Sequence, residues 1–213
     1  MPLHPLLAAL ACAALIAFAA PAAADGRAGD FDLYVLSLSW TPAACASGKA
    51  DDVECARPHA FLVHGFWPEY EHGYPDFCAT SEPRFVDGAI LKGVADVMPS
   101  QGLAGYEWRR HGVCAGLSAA DYFGLLGKAA RKVATPQLLQ RGNVPGRTTP
   151  AKIEAAFVSA NPGLSASAMA VRCAGNELTE VRICFTKDLA FRPCAEVDAD
   201  ACRASSIAVT PIP

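Results

Sequence analysis

The chain has 213 residues, the length of one domain plus a leader, and carries a net charge of −3 with a sequence pI near 5.9. That balance excludes a protein that coats nucleic acid by charge alone, though not an enzyme that holds a nucleic acid briefly. Nine cysteines in a chain of this size speak against a reducing compartment.

Residues 1–24 read as a signal peptide. An apolar run from Leu6 to Ala20 is followed by Ala22-Ala23-Ala24 just before Asp25. The run is too short to favour a membrane span, and no later segment is apolar for long enough to cross a bilayer. The expected product, residues 25–213, is an exported single domain, periplasmic or secreted, with no membrane span. Cys12 falls inside the leader. The eight that remain, Cys45, Cys55, Cys78, Cys114, Cys173, Cys184, Cys194 and Cys202, are an even set and read as a disulfide framework. Eight cysteines allow about 105 pairings, so connectivity stays open at this point. Zinc is disfavoured: there is no Cys-x-x-Cys pair and no histidine at finger spacing.

Phe31 to Trp40 is almost wholly apolar or small and reads as a buried central strand. Thr41 to Pro58, with Pro, Gly, Asp and two cysteines, reads as a pinned loop. Ala60 to Trp67 reads as a second strand. Regular alternation places Leu62, His64 and Phe66 on one face and Phe61, Val63 and Trp67 on the other. Phe85 to Val97 has helical spacing through Ile90, Leu91 and Val94. Tyr106 to Cys114 starts helical and stops at Gly112. Ser118, with Asp121 three residues on, opens a helix to about Val133, and Pro150 after Thr149 opens another to about Ser159. Met169–Cys173 and Leu178–Phe185 read as strands joined by a Gly-Asn turn, and the tail from Ala195 is weakly patterned. Helices and strands mix without βαβ alternation, so the expected fold is α+β with a mainly antiparallel sheet.

Two segments carry chemistry: His64-Gly65-Phe66-Trp67-Pro68, and Glu107-Trp108-Arg109-Arg110-His111-Gly112-Val113-Cys114. Glycine after each histidine lets the backbone turn or approach a ligand closely. Helical spacing puts Glu107 and His111 on one face. Two imidazoles that titrate near neutrality suit proton exchange without a metal. An RNA phosphodiester is cleaved in that way. A base takes the proton of the 2′-hydroxyl, an acid protonates the leaving 5′-oxygen, and positive charge steadies the phosphorane-like transition state. His64 and His111 are candidates for acid and base. Arg110 is a candidate for the phosphate, Glu107 for orienting His111 or touching substrate, and Trp67 for stacking a base. Each residue taken singly has a bland reading: a structural histidine, a solvated Arg109-Arg110 patch, core tryptophans. The joint pattern shifts the balance.

Both segments resemble the conserved active-site segments of the ribonuclease T2 family, in the same order and with the histidines 47 residues apart. Phe31 to Trp40 with Pro42 and Cys45, and Leu178 to Cys184, are similar to that family's opening and late strands. The resemblance implies a metal-independent endoribonuclease with no cofactor that passes through a 2′,3′-cyclic phosphate. The resemblance also implies an acidic to neutral optimum; no DNA cleavage is expected, because DNA lacks the 2′-hydroxyl nucleophile, and a monomer is expected. It implies His64, Glu107 and His111 as catalytic residues, with His111 taken as base and His64 as acid. It also implies disulfides Cys78–Cys114, Cys184–Cys194, Cys173–Cys202 and Cys45–Cys55. Arg110 stands where the family has lysine, Tyr106 where some members have histidine, Phe66 in place of leucine and Val113 in place of threonine. Two rivals belong to other classes. One is a metal hydrolase using His59, His64, His72 or His111, weakened by the lack of a tight ligand cluster. The other is a catalytically silent binding protein, which has no need to keep His64, Glu107 and His111 together.

Overall fold

The computed structural model describes residues 26–213, and the leader expected over 1–24 lies outside the described residues. Its elements, in chain order, are β1 (Leu33–Trp40), α1 (Thr41–Ala46), α2 (Asp52–Cys55), β2 (Phe61–Glu69), α3 (Gly88–Lys92), α4 (Gln101–Arg110), α5 (Ala119–Lys132), β3 (Arg147–Thr148), α6 (Pro150–Ala160), β4 (Met169–Ala174), β5 (Glu177–Phe185), α7 (Ala195–Ala199) and β6 (Ile207–Ala208). A short 3-10 turn, Gly112–Ala115, follows α4. The sheet runs β2-β1-β5-β6-β3, with β4 also on β5; every pairing is antiparallel except that of β5 with β6. The fold is α+β.

One face of the sheet carries Tyr34, Leu36, Leu38 and Trp40 of β1 with Val181, Ile183 and Phe185 of β5. Together with Trp108, Tyr122, Phe123, Leu126, Ile153 and Phe157 from the helices they form the main core. The other face holds a smaller cluster of Leu33, Val35, Trp67, Ala170, Cys184, Cys194 and Val197. Because side chains alternate along a strand, Ser37, Glu180 and Arg182 fall on this second face. There, three polar groups are set into an apolar surface.

The strand β2 departs from simple alternation. Ser37 pairs with Gly65 but Leu38 pairs with Val63, so His64 is an extra residue, a β-bulge. The slip leaves Phe61, Val63 and Phe66 on the core side, where Phe61 meets Trp40 and Phe157 and Phe66 stacks on Tyr34. His64 turns instead toward Trp67, with ring centroids 5.4 Å apart. The expectation that His64 shares a face with Phe66 is therefore corrected: an alternation rule fails across an inserted residue.

Other boundaries follow local chemistry. The 41–58 segment holds two short helices rather than a plain loop, because Asp51 caps α2 and its N–H bonds back to Glu54. Helicity between Phe85 and Val97 is confined to α3, whose start is fixed by the Asp87 carboxylate accepting the Ala89 N–H; Leu91 and Val94 are buried, but Phe85 is 83% exposed. The helix α4 begins earlier than its apolar spacing suggests, since Ser100 Oγ accepts from Leu103 N–H at 3.1 Å. Ser118 and Thr149 cap α5 and α6 in the same way, each worth about 1 kcal/mol. Gly175 and Asn176 both have positive φ, the two-residue turn that closes a tight hairpin between β4 and β5. Four disulfides join Cys45–Cys55, Cys78–Cys114, Cys173–Cys202 and Cys184–Cys194.

Candidate active site

The bulge in β2 and the C-terminal end of α4 meet beneath one open cavity of about 390 Å³. Its lining includes His64, Trp67, Tyr74, Glu107, Arg110 and His111. All five sequence-predicted site residues are thus brought together. His111 is the residue that caps α4, its N–H still bonded to the Glu107 carbonyl at 2.9 Å. Leaving the helix there aims its ring across to β2 rather than along α4.

Trp67 is the wedge between the two halves. Its ring centroid lies 5.4 Å from that of His64 and 5.6 Å from that of His111. Its Nε1–H donates to Glu107 Oε2 at 2.5 Å. At 8% exposure it forms the floor of the cavity, and the guanidinium of Arg182 lies 5.1 Å over its ring. The exposed aromatic edges are Tyr74 and Tyr106, at 49% and 43%.

Glu107, 2% exposed, is committed to Trp67 and lies 4.0 Å from His64 Nε2. Its side chain makes no bond to His111, so the expected partnership on one helix face exists only through the backbone. Burial raises the Glu107 carboxyl above its usual range, opposed by the Trp67 N–H, His64 and Arg110. Arg110 sits at the rim, donating to Tyr106 OH at 3.0 Å and Tyr74 OH at 3.4 Å, with Asp76 3.5 Å from Nε.

The two imidazoles are driven apart. Burial, with the positive charge of Arg110 and His64 nearby, pushes His111 down to about 4, and its buried Nδ1 has no partner among the described residues. His64 is raised, chiefly by a 2.9 Å bond from Nδ1 to Glu180 Oε1, against the cost of burial. Titratable pairs whose environments separate them in this way are the usual mark of an acid and a base.

Glu180 and Arg182 were missed in the sequence, where they sit in a stretch that reads only as a late strand. The signal was present: two opposite charges at i and i+2 on one face of a strand otherwise rich in Leu, Val, Ile and Phe. Glu180 accepts from Ser37 Oγ, from Arg182 Nε at 2.9 Å and from His64. Burial opposes its ionisation, but these donors and the Arg182 charge outweigh that and hold its carboxyl at about 2. Glu69, at the far wall, is pushed up to about 7 by burial, eased by Arg182 and reinforced by Glu196 and Asp200. A second cavity of about 490 Å³ opens on the other side of His64, with Ser47, Lys49, Leu103 and Thr179 in its wall.

The glycine in each motif has a packing role rather than a turning one, since neither has positive φ. A Cβ at Gly65 would collide with the Trp67 indole and come within 2.6 Å of Glu107 Oε2; one at Gly112 would lie 2.6 Å from the Trp108 ring.

The model of the Ribonuclease T2 family matches residues 31–194. This chain belongs to the ribonuclease T2 family. It is 34% identical over 183 residues to a ribonuclease of Aeromonas hydrophila, covering 80% of this chain and 79% of that one. It is 27% identical over 213 residues to Ribonuclease I of Escherichia coli, covering 78% and 79%. An RNase-related protein from Calystegia sepium shares the fold at a TM-score of 0.68 and 20% identity, over 85% of this chain and 98% of that one. The protein is an RNA-cleaving enzyme, and no helix among its described residues is long and apolar enough to cross a membrane.

Given that activity, Gly65→Ala should lower kcat/KM about 10- to 100-fold, the scale of one lost hydrogen bond to a charged group. Its Tm should fall by several degrees, because the displaced indole and carboxylate are both buried and overpacking costs about 1–3 kcal/mol. The Trp67 indole N–H resonance reports the cause: an unmoved resonance would refute the steric account.

Proposed function

We propose that this T2-family enzyme cleaves single-stranded RNA internally, without a metal, by transesterification to 2′,3′-cyclic phosphate ends. The observation that carries the reading is the placement of the two histidines on either side of Trp67 in one cavity, His64 bonded to a carboxylate and His111 buried, so that their environments bias the rings in opposite directions. His111, neutral above about pH 4, takes the 2′-hydroxyl proton. The 2′-oxygen then attacks phosphorus. His64, kept protonated beyond the ordinary imidazole range, delivers its Nε2 proton to the departing 5′-oxygen. Arg110 at the rim supplies fixed positive charge for the phosphate oxygens, and its planar fork replaces a lysine's point charge. Glu107 holds Trp67 and faces His64, which fixes the wedge against which both imidazoles stand. Trp67 lines the base-holding cavity from below, and Tyr74 and Tyr106 offer exposed faces for stacking.

Four disulfides and the leader-like residues 1–24 support export to a periplasm or beyond.

Digestion of the sixteen dinucleoside phosphates, with end analysis, tests the chemistry and the base preference together. Cyclic-phosphate ends should form at the same rate in EDTA, and DNA, which lacks the 2′-nucleophile, should survive. Loss of activity in EDTA, restored by zinc, or cutting of DNA would refute the mechanism.

A further inference from the structure

In the sequence, Glu180 looks like an ordinary strand residue. In the fold it is 9% exposed on the sheet face that carries the small apolar cluster. A carboxylate taken out of water is costly unless it is paired and fully hydrogen-bonded. The register provides that. Ser37 of β1 pairs with Arg182 of β5, Ser39 pairs with Glu180, and the bulge of β2 swings His64 over the same point. One carboxylate therefore takes three donors from three adjacent strands: Ser37 Oγ, Arg182 Nε and His64 Nδ1.

We propose that Glu180 is a positioning residue for the general acid: its carboxylate, clamped by Ser37 and Arg182, holds His64 by Nδ1 and leaves Nε2 to face the scissile phosphate. The inference rests on the acid role given to His64 above. Two consequences follow. The neutral ring is fixed as the Nδ1–H tautomer, because an ionised carboxylate only accepts. The protonated ring is favoured, because a negative charge sits on its far nitrogen. The charged groups facing His64 are Glu180 and Arg182 from β5 and Glu107 from α4, with His111 at the end of α4. Arg182 opposes the effect of the two carboxylates, and among the described residues only Glu180 bonds the ring directly. Arg182 also covers Trp67, so the clamp is tied to the wedge between the imidazoles.

Glu180→Gln keeps the shape of the side chain and removes its charge. The alkaline limb of the pH–kcat/KM profile should then move down by about one unit, a loss that approaches tenfold on the alkaline side of the parent's limb and shrinks in acid, where His64 is protonated regardless. A folded variant whose limbs stay in place would overturn the proposal. If the acid limb moved instead, the tether would stand and the acid role of His64 would fall. Imidazole ¹⁵N shifts of His64 in the unmodified protein give a reading that needs no variant: Nδ1 should carry the proton in the neutral ring, and an Nε2–H tautomer would sink the idea.

Discussion

Alanine at His111 or at His64 should each lower kcat/KM on RNA by at least ~10²-fold, the usual scale for a positioned acid or base. The two variants should then part in their pH profiles. In the parent enzyme activity should rise through about pH 4 as His111 becomes neutral. It should fall above the ordinary imidazole value of about 6.5 as His64 loses its proton, because the folded site raises that group. His111→Ala removes the acid limb, since no base remains to be freed, and His64→Ala removes the alkaline one. A substrate with a nitrophenolate leaving group sharpens the division. Nitrophenolate departs without a proton, so His64→Ala should recover most of its rate there and His111→Ala none. Recovery by His111→Ala instead would reverse the roles, and near-full activity of either variant on RNA would remove that residue from the mechanism.

Replacing Cys78 and Cys114 together by alanine should lower stability by about 4 kcal/mol, because the bridge closes a loop spanning 36 positions. For a domain of this size that is about 10 °C in Tm. The bridge also ties the loop after β2 to the turn after α4. Phe77, beside it, adopts φ 47, which is strained for a bulky residue, and its N–H bonds to the Arg110 carbonyl at 2.7 Å. Freed of the bridge, that segment should relax, and Tyr74 and Arg110 should lose their fixed place at the rim. KM should therefore rise along with the loss of stability. The Cys45–Cys55 pair is a control: its span of 10 predicts about 3 kcal/mol with KM unchanged. Equal effects on KM from both pairs would show that the first bridge has no bearing on the cleft.

Much of the fold was legible where a residue type has a single local use. Gly175-Asn176 reads as a tight turn and the β4–β5 hairpin follows from it; the structure places both residues in the left-handed region. Ser118 and Thr149 start α5 and α6 by offering oxygens to free N–H groups. Phe85 misled because periodicity counts an apolar residue as buried, whereas Asp87 starts α3 beyond it. The motifs named His64, Glu107 and His111 but not their partners. Glu107 goes to Trp67 rather than to His111, a choice made by how α4 meets β2 across 40 residues. Glu180 reaches His64 only through the three-strand register and the inserted residue, neither of which has a local signature.

That inserted residue has one more effect. The strand β2 lies at the end of the sheet order, and Val63 N–H is taken by the Val97 carbonyl. An exposed straight edge invites another extended chain to add to the sheet. The bulge at His64 bends the edge partway along, and the Val97 contact occupies a donor just before it. The irregularity that aims an imidazole at the cleft therefore also denies a neighbouring polypeptide an even row of backbone groups. A variant that straightened β2 should tend to aggregate as well as lose its catalytic geometry.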